Sequence, residues 1–206
     1  MLAIACLAGC AQPFKVAGTW TEGAVRTQTF KKLLVVGVSP DYNQRCIFER
    51  ALTPKLRSAT VEATSSCVVM KLNDPLNRES IERVIASLGL DGVLVTRLIA
   101  STGTVKEGGT RDTRGVGQYK AVGLDYQTGY WGPYGMPMVE VEFQTAPSIF
   151  SVERNAVLTT QLYETRGAAL VYSIESNVKT QESRDIILAQ ITPMITSQLK
   201  AAGLIQ

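Results

Sequence analysis

Lys31-Lys32-Leu33-Leu34-Val35-Val36-Gly37-Val38 is a continuous apolar run behind a basic start. A strand with one face in water alternates polar and apolar residues. A run without alternation reads as a strand covered on both faces, the condition of a parallel sheet. Ser39-Pro40-Asp41 then turns the chain, and Asp41 or Asn43 can cap a helix. That helix presents Phe48, Leu52 and Leu56 at a spacing of four, with Pro54 expected to kink it or mark a break.

Working outward, a second strand is expected around Thr60–Ala63, running on towards Cys67–Met70. Asn73-Asp74-Pro75 and Asn77 supply helix-start chemistry, Ile81, Val84, Ile85 and Leu88 form the next buried face, and Gly89 closes it. Asp91-Gly92-Val93-Leu94-Val95-Thr96-Arg97-Leu98 is a third apolar strand. The first hundred residues therefore read β-α-β-α-β. Beyond the break at 101–137, Met138–Gln144 alternates as a half-exposed strand. Val157–Glu164 and Ala169–Ser176 form a hairpin around Thr165-Arg166-Gly167. A last helix, capped by Thr180 or Ser183, has the face Leu188, Ile191, Ile195, Leu199 and Ala202, a bend at Pro193 and an end at Gly203. The expected fold class is α/β (α+β): a mixed sheet from β-α-β-α-β, a Gly/Tyr-rich insertion, then antiparallel strands and a C-terminal helix.

Composition agrees with one folded domain. Of 206 residues, 45% are hydrophobic and 19% charged, so a buried core is available and wholesale disorder is not expected. A formal charge of +3 without any basic run gives no footprint for nucleic acid. Histidine is absent, which removes imidazole as base, nucleophile's partner and metal ligand.

The N-terminus reads Met1-Leu2-Ala3-Ile4-Ala5-Cys6-Leu7-Ala8-Gly9-Cys10. A short apolar run closing on small residues is the end of a secretory signal. Leu7-Ala8-Gly9-Cys10 resembles the lipobox of bacterial lipoproteins at all four positions. The resemblance implies cleavage before Cys10, a diacylglycerol on its sulfur and an acylated amino group; Ala11 in place of Asp points to the outer membrane. The pattern departs in having no Lys or Arg before Cys10 and a run at the short end of the usual range. This reads as a start placed too late or a truncated chain. A buried N-terminal strand ending in Ala-Gly-Cys is the competing reading. Residues 11–30, polar and Thr-rich, are expected to be a tether, with the periplasmic domain spanning 31–206.

Cys46 and Cys67 remain. In an oxidising compartment an even pair reads as a disulfide, against the alternative of two buried free thiols. Cys46 falls in the first turns of a helix that starts beside the carboxyl end of strand one. Cys67 falls near the same end of strand two, so their approach is geometrically natural.

The order of elements, the basic apolar first strand, the Gly89-Leu90-Asp91-Gly92-Val93-Leu94-Val95 step and the Leu162-Tyr163-Glu164…Leu170-Val171-Tyr172-Ser173 hairpin resemble small α/β domains of periplasmic proteins. Similar are the amino-terminal domain of the Tol–Pal translocation protein B, the curli-secretion lipoproteins and the lipoprotein activators of penicillin-binding proteins. The resemblance covers most of 31–206. It implies a scaffold for protein contacts in the cell envelope and carries over no catalytic residue.

Chemistry-bearing patterns are sparse. Gly115-Val116-Gly117-Gln118-Tyr119-Lys120 lacks the third glycine of a dinucleotide loop, and Ser176-Asn177-Val178-Lys179 lacks the companion motifs of penicillin-recognising enzymes. Glu140 and Glu142 share a strand face, where a solvated surface is expected, and Asp91 and Arg97 are covered by a cap or surface pair. No catalytic or metal site, cofactor or small-molecule substrate is expected. The partner-binding surface is placed on the insertion, 103–137, through Tyr119, Tyr126, Tyr130, Trp131 and Tyr134, since Tyr and Trp offer large contact area with few rotatable bonds. A hairpin folded back on the sheet edge is the alternative for that segment. The expected function is a non-catalytic, outer-membrane-anchored binding or assembly lipoprotein, its partners being the membrane, envelope proteins or further copies of itself. The alternative is a peptidoglycan hydrolase using a carboxylate pair.

Overall fold

The computed structural model describes residues 14–39, 42–72, 74–107, 118–119, 150–180 and 184–206. Its elements in chain order are β1 (Phe14–Trp20), β2 (Lys32–Val38), α1 (Tyr42–Leu56), β3 (Glu62–Ser65), α2 (Ser66–Val69) and α3 (Arg78–Leu88). There follow β4 (Gly92–Glu107), β5 (Gln118–Tyr119), β6 (Phe150–Glu164), β7 (Leu170–Thr180) and α4 (Arg184–Ala201). One mixed sheet has the order β1-β7-β6-β4-β2-β3, with β5 paired to β4. The fold class is the expected one.

β2 runs parallel to β3 on one side and to β4 on the other. Crossovers of one hand that step in opposite directions put their helices on opposite faces. Accordingly Leu33 and Val35 pack with Leu52, Leu56, Ile191, Ile195 and Leu199, beneath α1 and α4. Leu34 and Val36 pack with Ile81, Val84, Val93 and Val95, beneath α3. All four β2 residues are fully buried, which is why that run shows no alternation.

α3 begins and ends on local chemistry. The Asn77 side chain accepts from the Ser80 N–H at 2.9 Å, satisfying one of the orphan donors of the first turn. Gly89 takes the left-handed conformation, φ 60°, and Leu90 N–H reaches back to Ile85 C=O at 3.2 Å. Leu88 lies off the buried face and is exposed, unlike Ile81 and Val84. Pro54 and Pro193 both lie inside their helices, which run on past them to Leu56 and Ala201.

Two stretches differ from the sequence reading. Residues 14–20, expected within a tether, form β1, paired antiparallel to β7 from Phe14↔Val178 to Trp20↔Tyr172. Phe14 joins the core, and Trp20 meets Tyr172 edge-on with centroids 5.3 Å apart. Cys67–Val69, expected as strand, turns instead into the short helix α2. The hairpin of β6 and β7 stands where expected but is longer, and β4 and β6 stay paired from Gly92↔Glu164 to Glu107↔Phe150. The expected strand at Met138–Gln144 lies outside the described residues.

Candidate functional site

The densest buried polar cluster sits at the carboxyl ends of β2 and β3, where α1 begins and β3 turns into α2. In open sheets of this kind the crevice beyond the carboxyl ends of the strands is the usual ligand position. Glu49 is its centre and is fully buried. One carboxylate oxygen accepts from Gly37 N–H at 2.9 Å and Ser66 Oγ at 2.6 Å. The other accepts from Ser65 Oγ at 2.7 Å and Cys67 N–H at 2.8 Å. Arg45, one helical turn earlier and 5% exposed, holds its Nε 3.6 Å from the carboxylate. Its guanidinium carbon stands 4.9 Å above the Tyr42 ring.

A carboxylate stripped of water needs such a cage, because burial without partners costs far more than any one hydrogen bond returns. With four donors and a guanidinium around it, Glu49 has no lone pair left for substrate. The cluster fastens α1 to the ends of two strands. Arg45 is less well served, since Nε and Nη2 are buried without a hydrogen-bond partner. The spacing carried a signal for the pair: Leu56 and Leu52 extend backward along one helix stripe to Glu49 and Arg45. Two charged residues on an apolar stripe mark a buried ion pair.

Cys46 and Cys67 meet at this cluster. Both are free thiols and both are buried, so the bridge expected between them is not formed here. Cys67 Sγ is 3.1 Å from Ser65 Oγ. The Tyr42 hydroxyl donates to Cys67 C=O at 3.2 Å. Burial, and then the hydrogen bond with Cys46, push the Cys67 thiol up to about 12 from an ordinary 9.0.

A second candidate is a cleft of about 370 Å³ at the opposite end of the parallel strands, lined by Val25, Gln28, Thr29, Asp91, Glu164, Thr165 and Arg166. Its carboxylates have structural duties. Asp91 accepts from the N–H groups of Lys31 and Lys32 at 2.8 and 2.9 Å, tying the starts of β2 and β4 together. Glu164 accepts from Gln28 at 3.4 Å. Asp91 thus has a cap's role, while Arg97 lies further along β4, opposite Val38 and Thr159.

Of the residues expected to contact partners, Tyr119 lies in β5, paired with Ser101. Tyr126, Tyr130, Trp131 and Tyr134 lie outside the described residues, as do Cys10, Glu140 and Glu142. Ser176 through Lys179 lie within β7, with Ser176 buried. Among the described residues no three of His, Cys, Asp and Glu gather as a metal site, and no helix is long and apolar enough to cross a membrane.

No protein-family model matches the chain, and no curated protein sequence matches it either. Among solved structures, the chain is similar to the PelC dodecamer from Paraburkholderia phytofirmans, at 14% identity and a TM-score of 0.45, over 94% of this chain and 99% of that one. A second form of that dodecamer, carrying a point substitution, is similar at 13% identity and a TM-score of 0.45, over 90% of this chain and 95% of that one.

Proposed function

We propose that the chain is a lipoprotein anchored in the outer membrane through Cys10, and that its periplasmic domain is a non-catalytic binding and assembly component of an envelope complex. The anchor rests on Leu7-Ala8-Gly9-Cys10. The binding role rests on the β4–β6 ladder. β2 leaves the side of β4 at Arg97, and β7 leaves the side of β6 at Arg154. β4 nonetheless continues ten residues beyond Arg97 to Glu107, a reach of about 34 Å at strand rise. Past Gly103↔Arg154 the described strands pair only with each other. A two-stranded ribbon is marginal alone in water, and its unpaired edges are templates for another chain. The ribbon leads into and out of 108–149, which carries Tyr126, Tyr130, Trp131 and Tyr134. A partner or further copies of the chain would cover these edges.

The test has two arms. Labelled palmitate should enter the protein expressed behind a full signal and should be lost in Cys10→Ser. A photo-crosslinking residue at Thr104 or Val152 should trap a discrete partner band in intact cells, while one at Glu82 on α3 should not. Equal lipid labelling of wild type and variant refutes the anchor, and identical crosslinks from both faces refute the ribbon as binding surface.

A further inference from the structure

We propose that the cleft at the amino ends of the parallel strands binds a small zwitterion, one ammonium and one carboxylate on a short frame, as at the two ends of a dipeptide. Its volume of about 370 Å³ falls within the range of small-molecule sites. Backbone bonds pin its walls. Thr165 N–H donates to Asp91 C=O at 3.1 Å and the Thr165 hydroxyl to Leu90 C=O at 2.8 Å, so the β6–β7 turn is fastened to the start of β4. Glu164 N–H donates to Ala169 C=O at 3.0 Å across that turn, and Gln28 N–H to Val25 C=O at 3.2 Å closes the facing wall. Groups carried on so fixed a frame lose little freedom when a ligand arrives.

The chemistry of the walls selects the ligand. Both Asp91 oxygens are engaged by the N–H groups of Lys31 and Lys32. Glu164 is less committed: Gln28 reaches one oxygen at 3.4 Å, near the limit of a hydrogen bond, and Oε1 remains for a donor from outside. That oxygen lies over the turn at Gly167, where a side chain would stand 3.0 Å from it, so the glycine gives the carboxylate its room. Arg166, two residues on, lines the same cleft with a guanidinium that pairs with no described residue. An ammonium suits Glu164, with the Asp91 charge behind it, and a carboxylate suits the planar fork of Arg166. Cleft walls screen such charges less than a convex surface does. Val25, 61% exposed and part of the lining, offers apolar contact to the short frame between the two charges. A ligand of single sign would leave one wall charge without a partner.

Amide resonances of the full chain, followed by NMR as dialanine is added, should shift at 25–29 and 164–166 with millimolar affinity, while those of α3 stay in place. N-acetyl-dialanine, which lacks the ammonium, and dialanine amide, which lacks the carboxylate, should each bind about tenfold more weakly. Glu164→Gln should weaken dialanine as much as acetylation does and leave the acetylated peptide unchanged. Arg166→Gln should weaken dialanine as much as amidation does and leave the amide unchanged. Arg83→Gln, which loses only an exposed pair with Glu79 on α3, should bind as the wild type does. Unchanged spectra overturn the site; equal affinities for the three peptides, or shifts confined to residues outside the cleft, overturn the zwitterion. The cleft lies at the far end of the sheet from the β4–β6 ribbon, so loss of palmitate labelling or of the crosslink and loss of this binding are separate failures.

Discussion

Replacing Glu49 by Ala removes the acceptor for four donors at once, Gly37 N–H, Cys67 N–H and the Ser65 and Ser66 hydroxyls, and strips Arg45 of its counter-charge. Leaving a buried charge unpaired costs about 3–5 kcal/mol. Each orphaned buried donor adds about 1–3 kcal/mol, part of which water entering the vacated space returns. With most of the donors satisfied again by that water, the stranded guanidinium dominates and the net loss is about 4–6 kcal/mol, a large share of the roughly 5–15 kcal/mol that holds a domain together. At about 2–4 °C per kcal/mol for a chain of this size, the melting temperature should fall by roughly 10–20 °C. Urea unfolding followed by circular dichroism measures the loss. Arg45→Met combined with Glu49→Leu should be less damaging than Glu49→Ala alone, because the stranded guanidinium goes with its partner. A loss below about 1.5 kcal/mol for Glu49→Ala, or a double variant worse than the single one, would refute the view of Glu49 as the fastening between α1 and the strand ends.

The Cys67 thiol is held up at about 12 in the folded state against an ordinary 9.0, so above pH 9 the unfolded chain releases a proton that the folded one keeps. Its stabilising contribution is complete below pH 9 and should be lost progressively as pH climbs towards 12. Urea midpoints across that window should show the decline, with a shallower slope in Cys67→Ala. A side chain at Gly18 would run into the ring and hydroxyl of Tyr172. Gly18→Val should therefore cost about 1–3 kcal/mol and change the near-ultraviolet signal of the Trp20–Tyr172 pair; an unchanged melt and spectrum would show that β1 is only loosely attached. Asn77→Ala should cost about 1 kcal/mol through the lost helix cap, read as a shifted urea midpoint with unchanged slope. Deleting 106–135 should leave the melting temperature within a few degrees while abolishing partner recovery in a pull-down; a deletion that unfolds the domain would place those aromatics in the core.

The parallel half of the sheet was legible because local pattern and burial agree there. Leu33 to Val36 lie between two helical layers, and Asn77 and Gly89 announce the ends of α3 through side-chain and backbone chemistry of their own. β1 was not legible for a nonlocal reason. Phe14, Val16 and Trp20 do alternate, but the position between Val16 and Trp20 is Gly18, since Tyr172 from β7 fills the space its side chain would need. The missing apolar residue, with threonines on either side of Trp20, made a strand look like a tether. The α2 corner failed similarly: Cys67-Val68-Val69-Met70 has strand composition, but Ser65 and Ser66 answer to a carboxylate sixteen and seventeen residues upstream, which bends the chain. Leu88 fits the helical period and still is exposed among the described residues, off the face that Ile81 and Val84 bury. The Glu49 frame at this corner was not foreseen, because its donors come from segments far apart in the chain.

Because the sheet begins at Phe14, four Cα steps separate it from Cys10, a leash of at most about 14 Å. A 20-residue tether would let a lipidated domain tumble freely beneath the bilayer; with Cys10 acylated as proposed, this short leash would restrict its attitude. Phe14 stands opposite Val178, Val178 opposite Ala156, and Ala156 opposite Ser101. The row shows that the leashed edge and the root of the projecting ribbon share one end of the sheet. With acyl chains on Cys10, as proposed, the ribbon end of the sheet would lie nearer the headgroups than the 370 Å³ cleft. The residues at 108–149 would then meet their partner in the crowded layer against the membrane, where diffusion is two-dimensional and even a weak contact is held at high local concentration.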